Sequence, residues 1–232
     1  AILSRVGKPT CFVVTDIDES TDPPTAWLSR TIVQQKAQDR LLDSLRPGDV
    51  IPARVTHLEP FGAFVDAGCG VPSLIGIENL SVSRICHPGD RLTVGQSILA
   101  AVRTVEPENR RISLTHRELL GTWAQNAALF SVGETVRGVV RSIEPYGVFI
   151  ELTPNLSGLA EPRADLRPGM AVSVYIKSIL PQRMKVKLTV IDVLAPYDTP
   201  TPPRYFITEG HIDEWTYTPV GCDKKIVKTI FG

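Results

Sequence analysis

Apolar and polar residues alternate along most of this chain in short runs. The clearest run is Val50 to Asp66, VIPARVTHLEPFGAFVD. Ile51, Ala53 and Val55 fall on one side of a period of two, the signature of a half-buried strand. A turn at Glu59-Pro60 follows, and then Phe61-Gly62-Ala63-Phe64-Val65. The pattern returns as VRGVVRSIEPYGVFIEL, Val136 to Leu152, at a constant offset of 85 positions (Gly48 to Gly133, Arg54 to Val139, Phe61 to Tyr146). Self-similarity held in register predicts a tandem array of one structural unit.

The rest of the chain fits around these two copies. Residues 47–117 predict one complete unit. Its strands flank Glu59-Pro60, continue over Ser73 to Ile77, and end with Ile98 to Val105 and Arg111 to Thr115. A longer excursion, GIENLSVSRICHPGD, separates the third strand from the fourth. Five short strands with a helical insert after the third describe an OB-type barrel, which closes on itself and leaves no sheet edge. Residues 131–193 repeat the unit with a shorter excursion, GLAEPRADLRPG. The expected fold is therefore all-β: tandem five-stranded OB-type barrels joined by short helical linkers.

Residues 1–31 align with only the second half of a unit, since Val6-Gly7 before Cys11 to Val14 matches Val94-Gly95 before Ile98 to Val102. They read as the C-terminal half of a truncated barrel, with a native docking hairpin as the simpler alternative. Residues 32–46 place Ile32, Val33, Ala37, Leu41, Leu42 and Leu45 at helical spacing and stop at Pro47-Gly48, so they predict a helical linker. Residues 118–130 predict its counterpart, with Trp123 wedged between barrels. Residues 194–203 (LAPYDTPTPP) read as an extended Pro-rich linker. Residues 204–232 read as a β-hairpin tail: Tyr205 to Ile207 paired with Ile212 to Tyr217, and Lys225 to Phe231 as a third strand. A tail this small has to dock on a barrel or a partner to bury its apolar face.

Composition narrows the function. The 232 residues are 43% hydrophobic and carry 25 basic against 25 acidic side chains, so no polybasic clamp is present. Any nucleic acid must then be held more by stacking and by locally placed arginines than by bulk phosphate neutralisation. No apolar run reaches the roughly 18 residues of a membrane span. The four cysteines, Cys11, Cys69, Cys86 and Cys222, lack the close spacing of a zinc knuckle or a disulfide framework. That usage suits a reducing cytoplasm. No phosphate-cradling glycine loop, H-E-x-x-H or nucleophile elbow appears. The expectation is no enzyme, no cofactor and no metal; His211 and Cys222 alone are too sparse a ligand set.

The run IPARVTHLEPFGAFVD, followed by SLIGIENLS and RRISLTHRE, resembles the RNA-binding repeat of the large bacterial ribosomal protein S-one. GETVRGVVRSIEPYGVFIEL with SGLAE and MKVKLTV is similar to it as well. The resemblance covers roughly residues 1–193. It implies barrels whose exposed face binds single-stranded RNA, with an aromatic pair stacking bases. The matching positions are Phe61 and Phe64 in one barrel and Tyr146 and Phe149 in the other. A basic residue beside the last strand matches Arg111 and Lys185. The histidine of the family's Gly-Leu-Val-His run is absent: Gly76 stands there in one barrel and Glu161 in the other, and a glutamate repels phosphate.

Around the aromatics, Arg54, Arg103 and Arg111 alternate out of their strands, as do Arg137, Arg141, Lys177, Arg183 and Lys185. Each alone is ordinary strand charge; as a set beside aromatics they favour phosphate contacts. Arg84 in the excursion is within reach of a backbone phosphate, His87 before Pro88 reads as a turn residue, and His57 reads as a strand-end surface residue. Phe61 and Phe64 are three apart, so strict alternation puts them on opposite faces unless a bulge at Gly62 turns both outward. The glycines Gly62 and Gly147 leave room for a base or a bend. The leading reading is a cytoplasmic, non-enzymatic protein that binds single-stranded RNA (mRNA or rRNA) near translation. The alternatives are a module docking on the ribosome or another protein, and the accessory C-terminal region of a longer enzyme.

Overall fold

The computed structural model describes residues 7, 10–195 and 202–232. Most of the Pro-rich linker expected over 194–203 and the first residues of the half-unit lie outside the described residues. The first elements are the hairpin β1 (Val13–Asp18) and β2 (Thr25–Ser29), followed by helix α1 (Arg30–Ser44). Ser29 caps the helix, its Oγ accepting the Ile32 amide. The helix ends at Leu45, which is extended before Arg46 and Pro47. Leu41, Leu42 and Leu45 then pack against the core of the first barrel.

That barrel contains β3 (Val50–Glu59), β4 (Gly62–Asp66), β5 (Pro72–Gly76), β6 (Ser97–Glu106) and β7 (Arg111–Thr115). It closes in the order β3-β4-β5-β7-β6, with β6 returning to β3 and with β5 and β7 parallel. The predicted alternation fills its interior: Ala53, Val55, Ala63, Val65, Ile75, Ile98, Ala100, Val102, Ile112 and Leu114 are buried together. The second barrel has the same order in β8 (Thr135–Glu144), β9 (Gly147–Thr153), β10 (Leu156–Ala160), β11 (Ala171–Leu180) and β12 (Lys185–Leu194). Both are five-stranded OB-type barrels, as the repeat pattern predicts.

Bulges recur at equivalent places. Thr56 and Arg141 are the extra residues in the first strand of each barrel, and Arg103 and Lys177 in the fourth. The β1–β2 hairpin has the same irregularity at Thr15. Thr15 follows Gly7 at the distance that separates Arg103 from Gly95 and Lys177 from Gly169. This hairpin leaves Phe12, Val14, Ile17, Trp27 and Leu28 exposed.

The segment between the barrels is not one helix. It breaks into a 3-10 turn over Arg117–Leu120 and a short α2 (Trp123–Ala127). Gly121 between them sits at φ +84°, and the Phe206 ring lies where its Cβ would be. Only glycine takes that conformation and that contact without strain. Trp123 is buried among residues of the second barrel, and its amide donates to the Tyr217 carbonyl.

The tail also departs from expectation. Its strands are β13 (Glu214–Thr216) and β14 (Lys228–Ile230), so the segment expected as a third strand is the true partner. Tyr205 to Ile207 instead runs across the seam as irregular chain, the Phe206 amide donating to Leu119. The tail touches both barrels: Ile212 N–H bonds Gly48, and Asp223 N–H bonds Gln182. Trp215, Tyr217 and Phe231 join the core cluster of the second barrel, which is how so small a segment buries its apolar side chains.

Candidate nucleic-acid interface

The strand register lays out the exposed face of the first barrel. His57 on β3 stands opposite Phe64 on β4, Phe64 opposite Leu74 on β5, Leu74 opposite Ser113 on β7, and Ser113 opposite Thr104 on β6. Phe61 precedes β4, in the turn, so strand alternation does not constrain it. It is 56% exposed, and its ring meets Phe64 edge-on at 6.0 Å and 89°. The second barrel reproduces the pair: Tyr146, also a turn residue, is 66% exposed and meets Phe149 at 6.3 Å and 89°. A T-shaped pair holds each ring at a fixed angle while leaving a face open.

No bulge occurs at Gly62; β4 pairs with β5 in unbroken register. The glycine is required for another reason, because a Cβ there would run into the Ile75 carbonyl. At Gly147 the obstacle is the Ala160 carbonyl, 2.6 Å away. The space these glycines leave is thus filled by the neighbouring strand and not by a base.

The corner where the resemblance implies a histidine is acidic in both barrels. A Cβ on Gly76 would lie 2.5 Å from the Glu78 carboxylate, so that carboxylate occupies the corner of the first barrel. Glu161 stands at the same point of the second and is bound by Lys177 Nζ at 3.1 Å. Arg103, the counterpart of Lys177, is exposed and forms no ion pair with a described residue.

The remaining expected cations divide into two groups. Arg84, Arg111 and Lys185 are exposed and unpaired among the described residues, and exposed Arg54 donates through Nε to the Gly95 carbonyl at 3.1 Å. Arg141 is different. It is turned into the seam between the barrels, where its Nε donates to Glu151 at 2.8 Å and Asp90 lies 3.7 Å away. A bulge re-aims its residue, and a period-two reading misses that. Arg137 donates to the Ala195 carbonyl. Two face residues lie outside the expected contact set, although His57 was expected at the surface. His57 borders Phe64 and holds Glu59 at 2.7 Å. Lys187 is exposed on β12 opposite Leu159, where the first barrel has Ser113. The 74-residue offset from Ser113 marks Lys187 once the second halves of the repeats are aligned.

The seam orients the two faces. Arg91, from the excursion of the first barrel, pairs bidentately with Glu151 of the second and donates through Nε to Ser81. Asn155, fully buried, accepts from the Val82 amide and donates to the Arg117 and Gly121 carbonyls. Its own carbonyl accepts the Tyr217 hydroxyl at 2.6 Å. His116 is buried with Nδ1–H donating to the Leu80 carbonyl, so its Nε2 accepts from the Tyr205 hydroxyl at 3.1 Å. Burial pushes this histidine down to about 4 and keeps it neutral.

Among the described residues no cluster of three or more potential metal ligands occurs, and no helix is long and apolar enough to cross a membrane. His211 is taken up by Asp49 at 2.7 Å.

Residues 44–117 match the family described as S1 RNA binding domain. The small ribosomal subunit protein bS1 of Staphylococcus aureus (strain COL) is 32% identical over 190 residues, covering 74% of this chain and 48% of that protein. The bS1 of Staphylococcus epidermidis has the same identity and coverage. The chain thus spans about half the length of the relatives it matches. Among solved structures, GSP13 from Bacillus subtilis overlaps 36% of this chain and 60% of its own, at 27% identity and a TM-score of 0.31. Two closed five-stranded barrels in register, one matched by the S1 RNA binding domain, make this chain a tandem array of repeats resembling those of bacterial ribosomal protein S1.

Proposed function

We propose that the chain is a non-enzymatic, cytoplasmic protein that binds single-stranded RNA, mRNA or rRNA, in association with translation. The observation that carries this reading is the repeated aromatic pair, Phe61 with Phe64 and Tyr146 with Phe149, at matching angle and spacing in both barrels. Stacking on such a platform contributes about 1–3 kcal/mol per base and tolerates any sequence. Arg54, Arg103 and Arg111 supply phosphate contacts in the first barrel, and Lys185 and Lys187 in the second. Arg84, exposed in the excursion, is a further phosphate contact of this reading. Lys177 contributes less because Glu161 already holds it. Arg141 serves the seam.

Fluorescence anisotropy with a labelled oligouridylate at low salt tests the reading. The chain is expected to bind, and Phe61→Ala with Tyr146→Ala to weaken binding by at least tenfold, as about 1.4 kcal/mol corresponds to. Binding unaffected by both changes would remove the stacking argument.

A further inference from the structure

The aromatic pair of the first barrel does not stand alone on its face. Asp66 lies two positions beyond Phe64 on β4 and so on the same side of the sheet. There a groove of about 510 Å³ opens between the barrel and α1. Thr56, Asp66 and Pro72 form the barrel wall; Arg30, Gln34 and Gln38, four residues apart along one face of α1, form the other.

Arg30 is the unexplained member. Its Nε is buried with no hydrogen-bond partner among the described residues, and the guanidinium makes no ion pair with a described residue, lying where a Cβ on Gly70 would be. It is also the first residue of α1, where the helix dipole disfavours a cation, and no acidic side chain in the first turn offsets it. Helix stability therefore does not account for it. Beside it, the Gln34 amide donates to the Gly70 carbonyl at 2.8 Å and leaves Oε1 without a partner among the described residues. The facing Asp66 has Oδ1 tied to the amides of Gly68 and Gly70 at 2.8 and 2.9 Å, so an anion in the groove belongs on the helix side.

We propose that this groove carries the phosphodiester backbone of single-stranded RNA away from the Phe61–Phe64 pair, with Arg30 as a phosphate-binding group. The linker helix is then one wall of the RNA site and not only a spacer. The inference rests on the RNA reading above and extends it along the strand. A backbone phosphate supplies the counter-charge that the Arg30 guanidinium lacks, reached through its terminal nitrogens, and a planar guanidinium suits that geometry.

The test uses the full chain and two fluorescein-labelled oligouridylates, of about four and about twelve nucleotides, within the range of lengths one OB fold occupies. Arg30→Gln is expected to weaken the longer probe roughly tenfold at low salt and to reduce its salt slope by about 0.7, leaving the shorter probe unchanged. Gln34→Glu, which adds a like charge to the same wall, is expected to act in the same direction. Unchanged binding of the longer probe by both variants, or equal losses at both lengths, overturns the groove as an RNA path. If Phe61→Ala is silent while Arg30→Gln weakens the longer probe, the stacking reading fails and the groove stands. If neither probe binds the parent chain, both fall.

Discussion

Arg91 of the first barrel and Glu151 of the second are joined by two parallel hydrogen bonds, in a seam where their side chains are 6% and 7% exposed. Glu151 also accepts from Arg141, so one carboxylate balances two guanidiniums. Desolvation pushes the Arg91 guanidinium below its ordinary value, and the charge of Glu151 opposes that shift. Glu151→Ala leaves the buried Arg91 guanidinium without its ion-pair partner, with Arg141 beside it, and is expected to destabilise the chain by about 3–5 kcal/mol. Urea unfolding measures this. The double variant Arg91→Met with Glu151→Leu should lose less than Glu151→Ala alone, since it removes the buried Arg91 charge and leaves Arg141 with Asp90 at 3.7 Å.

His116 predicts an acid-sensitive joint. Its folded value, about 4, lies below the ordinary 6.5, so the unfolded chain binds the extra proton first as pH falls. Stability is full above about 6.5 and declines through the window down to about 4, by at most about 3 kcal/mol. Urea midpoints at pH 7 and pH 4.5 should differ in the parent, and His116→Gln should reduce the difference. An equal pH dependence in both proteins would place the acid lability elsewhere.

Glu161 restrains the second barrel twice, by its own charge and by holding Lys177 at 3.1 Å. Glu161→Gln is expected to tighten binding of a single-stranded oligonucleotide several-fold at low salt and to steepen the salt slope by about 0.7 as Lys177 becomes available. Anisotropy across a salt series reads both effects. The corresponding change in the first barrel, Glu78→Gln, should act in the same direction, because that carboxylate sits over Gly76.

Gly62→Ala separates two accounts of the glycine beside the aromatics. The Ile75 carbonyl occupies the place of the added Cβ, so the variant should unfold at lower urea concentration. RNA affinity under conditions where the variant is fully folded should be reduced little. A fully stable variant with lost RNA binding would mean instead that the glycine makes room for a base.

Much of this architecture was legible from the chain alone. Alternation with period two, returning at a constant offset, marks the strands of both barrels, because a closed β-barrel needs one face of every strand apolar. Phe61, Phe64, Tyr146 and Phe149 were identifiable from that repeat and from the family resemblance. The resemblance implies that they face outward, but strand periodicity could not show it, because Phe61 and Tyr146 belong to turns while Phe64 and Phe149 are half-buried on the strands. Arg141 looked like a surface cation, yet a bulge and the approach of Asp90 and Glu151 turn it inward.

Local sequence thus determined what each unit is: the five strands, the barrel interior, the aromatic pair and the acidic residue at position 161. Tertiary structure alone decided how the units meet. Arg91 finds Glu151 sixty residues away, Asn155 gathers the excursion, the linker and the tail, and His116 is kept neutral by burial while Leu80 and Tyr205 take up its two ring nitrogens. These contacts join groups far apart in the chain, and their energies come from desolvation and paired geometry, which no periodicity encodes. The stretch from Val50 to Asp66 announces a barrel by itself; that α1 forms a groove beside it, with Arg30 on its wall and unpaired among the described residues, follows only from packing.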